Sequence, residues 1–281
     1  MLKTATIILL TLLSASLSPQ FFSSQRVIAI IEDERLIEAS GLEESHQNPG
    51  YFWTHNDSGG RPMLFLIDTN GQVKMEVKLE GIINRDWEEI VTVREGNTSY
   101  IYVAEIGDNR AVYDEVKLIR LEEPKFDKRG SVSIPKEEIA VMQFQYQEGS
   151  RDAEAIMYDK RTEEFVLITK REKKSMVYSF PFKESAKTVI KSKGTIPSRN
   201  FTAADINEDG EILLKHYDAI YFWSASKKPA LERILDWNPI NIAYAPEPQG
   251  EAMCWYKKNF YTLSEKNEGK PQEMLVFERM K

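Results

Sequence analysis

The stretch Arg151-Asp152-Ala153-Glu154-Ala155-Ile156-Met157-Tyr158 decides the fold, because altered copies of it recur along the chain. Each copy carries an apolar residue at a matching place, and these residues are Leu42, Ile90, Ile156, Ile206 and Met253. Their separations are 48, 66, 50 and 47 residues. A period of about 40–50 residues is typical of β-propeller blades, each built from four short strands.

Two further runs with the composition of short strands follow each copy, and a weaker fourth run follows in all but the last. The second runs end at His55, Glu105, Lys170, His216 and Glu265. The third runs cover residues 63–68, 116–121, 176–180, 219–223 and 273–277, and weaker fourth runs cover residues 72–79, 139–145, 188–193 and 231–235. β-Branched and aromatic residues between turn residues indicate strands. The long second interval is explained by a surface loop predicted at residues 122–136.

The fifth repeat has no fourth run, whereas residues 27–31 form an unused strand before the first repeat. We expect this N-terminal strand to complete the last blade, because such a join leaves no open sheet edge. The sequence therefore predicts an all-β fold, a single β-propeller domain over residues 26–281. Five four-stranded blades are expected, and six blades are the alternative.

Residues 1–18 have the pattern of a secretory signal peptide. Lys3 precedes an apolar run at residues 6–13, and small residues follow near residues 16–18. The apolar run is too short to span a bilayer as a helix. We therefore expect cleavage, a secreted or periplasmic location, and no membrane span in the mature chain.

Composition and charge exclude some classes of function. The chain is 42% hydrophobic and 29% charged, with a formal net charge of −7. An acidic chain without a basic block is a poor nucleic-acid binder. The single cysteine, Cys254, excludes an intramolecular disulfide. The sequence has no nucleophile elbow, zinc-protease helix motif, phosphate loop or dinucleotide fingerprint. We expect a monomer.

Polar residues recur at both strand ends that meet at one mouth of the predicted channel. The first strand of each blade lines the channel, and the second strand returns beside it, so the start of one and the end of the other lie together. At the first-strand starts stand Asp86, Glu88, Asp152, Glu154 and Glu251, and at the second-strand ends stand His55, Glu105, Lys170, His216 and Glu265. Alternate residues share a strand face, so each Asp-x-Glu pair points one way.

Several glutamates at a narrow mouth repel one another unless protons or cations neutralise them. One hypothesis is a divalent cation, with Glu88, Glu154, Glu251, Asp86, Asp152 and Asp57 as metal ligands. An all-oxygen ligand set favours Ca²⁺, Mg²⁺ or Mn²⁺ over zinc. The alternative is structural: the carboxylates accept backbone N–H bonds between blades and pair with Arg85, Arg151 and Lys170.

Several motifs resemble those of a group of secreted bacterial β-propeller proteins without an assigned activity. They are Ser40-Gly41-Leu42, His55-Asn56-Asp57-Ser58-Gly59, Asp86-Trp87-Glu88-Glu89-Ile90, Asp152-Ala153-Glu154-Ala155 and Glu247-Pro248-Gln249-Gly250-Glu251-Ala252. The resemblance implies the fold and export. More distantly, the chain is similar to calcium-dependent propeller phytases and gluconolactonase-like propellers, which implies carboxylates holding a divalent metal at the channel mouth. It departs from the lactonases at Ser40-Gly41, where they have a metal-binding Glu, and from the six-bladed phytases in its number of blades.

Two functions follow from this mouth. In the first, a metal-dependent hydrolase of an ester, lactone or phosphoester uses His55 or His216 as general base, while Lys170 and Arg171 bind an anionic group. Glu105 is a further catalytic candidate because it shares their position in the repeat. In the second, the protein is a non-enzymatic scaffold that binds a small molecule, glycan or partner at the same mouth. A purely structural propeller is a third option.

Overall fold

The computed structural model describes residues 20–128, 130–185 and 187–280, and the predicted signal peptide lies outside them. In chain order, the strands up to the middle of the chain are β1 (Arg26–Ile30), β2 (Ala39–Glu44), β3 (Tyr51–Asn56), β4 (Met63–Asp68), β5 (Val73–Leu79), β6 (Trp87–Glu95), β7 (Thr98–Glu105), β8 (Val116–Glu122), β9 (Ser131–Ile134), β10 (Ala140–Tyr146) and β11 (Ala153–Asp159). The remaining strands are β12 (Glu164–Thr169), β13 (Ser175–Phe180), β14 (Lys187–Ile190), β15 (Ser192–Ile196), β16 (Phe201–Ile206), β17 (Ile212–His216), β18 (Ala219–Trp223), β19 (Ile240–Ile242), β20 (Gly250–Tyr256), β21 (Asn259–Ser264) and β22 (Glu273–Phe277). A 3₁₀ turn spans Lys136–Glu138, and the helix α1 spans Ala230–Leu235.

These strands form five antiparallel blades arranged in a ring, as the repeat predicts. The innermost strands of the blades are β2, β6, β11, β16 and β20, and each contacts the next until β20 returns to β2. The ring is closed as expected, because β1 pairs antiparallel with β22 and supplies the fourth strand of the last blade. The fold is therefore a five-bladed β-propeller with first strands around a central channel.

The apolar core is divided among the junctions between neighbouring blades. Each of the five buried clusters in the described residues joins two consecutive blades. One of them packs Leu42 and Phe52 of the first blade against Ala252 and Leu263 of the last. Burial between blades, rather than within one blade, stabilises the ring because a single blade cannot cover both of its faces. The described residues contain no helix long and apolar enough to cross a membrane.

The outer strands differ from the predicted fourth runs in three places. Residues 188–190 lie on β14, which pairs parallel with β10 and adds a fifth strand to the second blade, whereas residues 192 and 193 begin β15, the fourth strand of the third blade. Residues 231–235 are helical, because apolar residues at 231, 234 and 235 follow a helical period, and β19 is the strand. The loop predicted at residues 122–136 contains β9, which pairs parallel with β5 and widens the first blade.

Removal of the closing strand is expected to destabilise the whole ring. A chain starting at Glu32 loses β1 and the buried side chains of Phe22, Ala29 and Ile31. Loss of two large buried side chains costs at least about 5 kcal/mol, which corresponds to a fall in Tm of at least roughly 10 °C. Thermal unfolding measures this against a chain starting at Gln20, and equal Tm values would show that the closing strand does not stabilise the ring.

Candidate functional site

Each inner strand begins with a register irregularity that inserts an extra residue opposite the second strand. The irregularities fall between Ala39 and Leu42, Trp87 and Glu89, Ala153 and Ala155, Phe201 and Ala203, and Gly250 and Ala252. The residues inside them include Ser40, Glu88, Glu154, Thr202 and Glu251. A β-bulge re-aims a side chain and is common near functional sites. The repeated bulge places three glutamates at equivalent positions around the channel.

Glu88, Glu154 and Glu251 meet at the channel mouth. One carboxylate oxygen from each lies within 4.8 Å of the others, and their exposed fractions are 2%, 3% and 6%. Burial, together with the neighbouring carboxylates, raises the pKa of Glu88 well above its usual range. Burial also raises the pKa of Glu154, although Lys170 opposes the shift. Oε2 of Glu154 is buried and has no hydrogen-bond partner among the described residues.

Asp57, Asp86 and Glu265 extend this group toward solvent. Two further sets of three carboxylates place one oxygen of each residue within 4.8 Å of the others. The second set is Asp57, Asp86 and Glu88, and the third is Asp57, Glu251 and Glu265. Burial and neighbouring carboxylates raise the pKa of Asp57 to about 7, of Asp86 to about 6 and of Glu265 to about 8. We define these six residues, Asp57, Asp86, Glu88, Glu154, Glu251 and Glu265, as the acidic mouth.

Gly107 allows the carboxylates to approach the loop after β7. A Cβ atom on this residue would lie 2.1 Å from Oε1 of Glu88 and 2.6 Å from Cγ of Asp86. The peptide N–H of Gly107 also donates to the carbonyl oxygen of Asp86, at 3.3 Å. Any side chain here would therefore displace one or both carboxylates.

Gly107→Ala is expected to weaken cation binding at the acidic mouth. The added methyl group overpacks the site at a cost of about 1–3 kcal/mol, which equals roughly a 5- to 150-fold loss of affinity if it falls on the bound form. Gly60→Ala is the matched control, because a Cβ there meets nothing within 4 Å. Titration calorimetry with Ca²⁺ measures both variants, and equal affinities would contradict the role of Gly107.

Lys170 is the cation placed within the acidic mouth. Its ammonium group pairs with Oε1 of Glu154, lies 3.8 Å from Oε1 of Glu251 and donates to the hydroxyl oxygen of Tyr217 at 2.9 Å. The hydroxyl of Tyr217 donates in turn to Oε1 of Glu251. The pKa of Lys170 is raised, because the neighbouring glutamates outweigh burial.

Asp152 and Arg171 form a separate pair beside the acidic mouth. Nε of Arg171 lies 2.5 Å from Oδ2 of Asp152, and Arg171 also donates to the side chain of Asn109. Oδ1 of Asp152 accepts the backbone N–H of Asp108 at 2.9 Å. Both carboxylate oxygens of Asp152 are therefore engaged, and the structure does not bring this predicted ligand into the three-carboxylate sets.

The other predicted catalytic residues lie outside the acidic mouth. His55 is fully buried against Trp87, and burial lowers its pKa to about 4. Glu105 is buried and pairs with Lys117 at 2.7 Å and Arg85 at 3.9 Å. His216 is partly exposed, and its Nδ1 accepts the backbone N–H of Asp218. Their predicted catalytic roles stay predictions.

Register explains why these residues separate from Lys170. The residues paired with the start of each inner strand are Asn56, Glu105, Thr169, His216 and Ser264. The next residues along the chain, Asp57, Ile106, Lys170, Tyr217 and Glu265, therefore occupy equivalent positions. Glu105 and His216 stand one position earlier, and a shift of one residue turns a strand side chain to the opposite face. Glu265, one of the predicted second-strand ends, keeps its place at the mouth, and Tyr217 takes the place predicted for His216.

Other buried carboxylates on the inner strands serve the structural role considered as an alternative. Asp205 accepts the backbone N–H groups of Ile206 and Trp255, each at 2.6 Å. Glu89 accepts those of Ile90 at 3.1 Å and Ala204 at 3.4 Å. These carboxylates have backbone donors, in contrast to Oε2 of Glu154. Hydrogen bonds from the backbone therefore account for Asp205 and Glu89, whereas Oε2 of Glu154 and Oδ1 of Asp57 have no donor among the described residues.

Among solved structures, a luciferin-regenerating enzyme is similar to this chain. The two share 8% sequence identity with a TM-score of 0.45, and the similarity covers 87% of this chain and 92% of the enzyme chain. A similarity this distant carries no argument about activity. No protein-family model and no curated protein match the chain. The resemblance to secreted bacterial propellers stays a prediction.

Proposed function

We propose that the protein is an exported β-propeller that binds a hard divalent cation in its acidic mouth and hydrolyses an ester, lactone or phosphoester there. The observation that supports this most directly is the orphaned Oε2 of Glu154, buried beside Glu88 and Glu251. A buried carboxylate oxygen without a donor requires a proton or a cation. Three carboxylates in mutual reach supply the oxygen ligands that Ca²⁺, Mg²⁺ and Mn²⁺ prefer.

Charge balance supports the same assignment. The acidic mouth holds six carboxyl groups, and Lys170 lies among them, while Arg85 acts on Asp86 and Lys215 on Glu251 from beside it. Six carboxyl groups still outnumber these three cations. Arg171 is already paired with Asp152. Glu88, Glu154 and Glu251 would hold the cation, with Asp57 and Asp86 as further ligands. The donor set contains oxygen alone, which fits a hard cation better than zinc.

The residues around the mouth would divide the work of hydrolysis. A bound divalent cation supplies Lewis-acid polarisation of a substrate oxygen and lowers the pKa of water. Arg171, with half of its side chain exposed, would bind an anionic group of the substrate.

Hydrolysis is tested with a panel of phosphate, lactone and aryl ester substrates. The mature chain should turn over at least one class, lose turnover with EDTA and recover it with Ca²⁺ or Mn²⁺. Glu88→Gln should lower turnover of that substrate by at least about 100-fold, since it removes a charged ligand. Binding of cation without turnover of any substrate class would contradict the hydrolase assignment.

A non-enzymatic binding scaffold is the second candidate, and the ion pair between Lys170 and Glu154 favours it. An ammonium group already neutralises part of the mouth, so a small molecule or glycan could be oriented by these charges alone. Under this proposal EDTA leaves ligand binding unchanged, whereas a metal-dependent site loses it.

Export rests on the pattern of residues 1–18. We propose that the mature protein is secreted or periplasmic and monomeric. Expression of the full chain in a bacterial host should yield a periplasmic product that lacks these residues. N-terminal sequencing and light scattering measure cleavage and mass, and an intact cytoplasmic product would contradict export.

A further inference from the structure

Lys170 occupies a place that a bound cation would contest. Only 5% of its side chain is exposed, and its ammonium group contacts Glu154 and lies near Glu251. Those are two of the three glutamates whose oxygens converge. The ammonium uses Oε1 of Glu154 and leaves Oε2 of the same carboxylate without a partner.

We propose that Lys170 is a built-in counter-cation that competes with a divalent ion for Glu154 and Glu251 and thereby lowers the affinity of the site. The inference rests on the proposed function, because it concerns the same metal site. Two positive charges within one buried carboxylate group repel each other strongly, since little solvent screens them. A divalent ion must therefore displace the ammonium group of Lys170 or bind with lower affinity beside it.

Tyr217 is a further partner of the Lys170 ammonium group. Its Nζ atom lies 5.0 Å from the centre of the Tyr217 ring and within hydrogen-bond distance of the Tyr217 hydroxyl. Lysine has a flexible four-carbon stem, and an aromatic ring attracts an ammonium group. Lys170 can therefore keep its contact with Tyr217 when a divalent ion takes Glu154 from it. Lys170 is the cation among the five equivalent positions at the mouth, whose other members are Asp57, Ile106, Tyr217 and Glu265.

Titration calorimetry with Ca²⁺ and with Mn²⁺ tests this competition. Lys170→Gln removes the charge and should bind either ion at least about tenfold more tightly than the wild type. Lys170→Arg keeps the charge and should show no gain. Lys74→Gln is the matched control, because Lys74 pairs with Asp68 at 3.0 Å outside the acidic mouth. This variant should bind Ca²⁺ and Mn²⁺ with the affinity of the wild type.

The outcomes separate this inference from the proposed function. Equal or weaker binding by Lys170→Gln, with normal binding by the wild type, overturns the competition and leaves the metal site standing. Absence of binding by both overturns the two together. Binding by Lys170→Gln alone supports the competition in its strongest form. Circular dichroism checks folding, and Lys170→Met, which keeps an unbranched uncharged side chain, replaces Lys170→Gln if that variant does not fold.

Discussion

Glu154→Gln is expected to weaken binding of Ca²⁺ or Mn²⁺ at least about 100-fold, because it removes a charge and the orphaned oxygen from the ligand set. Any stabilisation by the cation should disappear with it, since a ligand that binds only the folded state raises Tm. Titration calorimetry and thermal unfolding measure the two effects.

Glu123→Gln is the matched control for this prediction. Glu123 is as buried as Glu154, at 3%, but lies outside the acidic mouth, where it accepts the indole N–H of Trp53 at 2.9 Å. Glutamine retains an acceptor oxygen for that bond but loses the oxygen that accepts the backbone N–H of Gln47 at 3.1 Å, so the control also reports the cost of a lost buried hydrogen bond. The control should bind cations like the wild type, and a similar loss in both variants would mean that reduced stability, rather than a missing ligand, explains the effect.

Stability in the absence of cations is expected to fall as pH rises from 5 to 8.5. The carboxyl groups of Asp86, Asp57 and Glu265 have pKa values raised to about 6, 7 and 8, with burial as the first cause. A group whose pKa is higher in the folded state favours folding at low pH, and this contribution is lost as pH rises through the folded value. The loss is on the order of a few kcal/mol, since one pKa unit corresponds to about 1.4 kcal/mol.

The lower limit of pH 5 avoids carboxylates with the opposite behaviour. The side-chain hydrogen bond from Arg35 lowers the pKa of Asp33, so protonation of this group destabilises the protein only in more acidic solution. Added Ca²⁺ should raise Tm more at pH 8.5 than at pH 5, because protons no longer compete for the ligands. Asp57→Asn should flatten the pH dependence. A cation-free Tm that rises toward pH 8.5 would contradict these assignments.

The ring could be predicted from sequence because the residues that define the repeat face the core. The apolar residues from Leu42 to Met253 recur at intervals of 48, 66, 50 and 47 residues, and the long interval contains β9. The closing strand follows from the missing fourth run. The outer strands could not be placed as reliably, since they contact only one neighbour and carry a weak pattern. Residues 231–235 form a helix rather than the predicted strand, because Leu231, Ile234 and Leu235 follow a helical period. Pairing of β9 and β14 depends on tertiary packing rather than on local sequence.

The part of the acidic mouth on the first strands could be predicted from sequence, because it does not depend on the register between the first and second strands. Glu88 and Glu154 follow from the Asp-x-Glu repeat and Glu251 from its matching place in the last repeat, and the structure brings the three together. Composition alone aligns Glu105 and His216 with Lys170. In the structure both lie one residue earlier in the register than Lys170, so their side chains face the other way. The bulge at each first strand, which sets this register, has no local sequence signal. The close approach of Gly107 to Glu88 depends on the folded ring and has no signal in the local sequence.

Anomalous diffraction from crystals soaked in Mn²⁺ tests the central claim most directly. We predict one strong anomalous peak bound by carboxylate oxygens of Glu88, Glu154 and Glu251, and its loss in Glu154→Gln crystals. If the side chains of the acidic mouth are well ordered, Lys170 is still bound to Glu154 and no anomalous peak is present, the assignment of a divalent-cation site is contradicted.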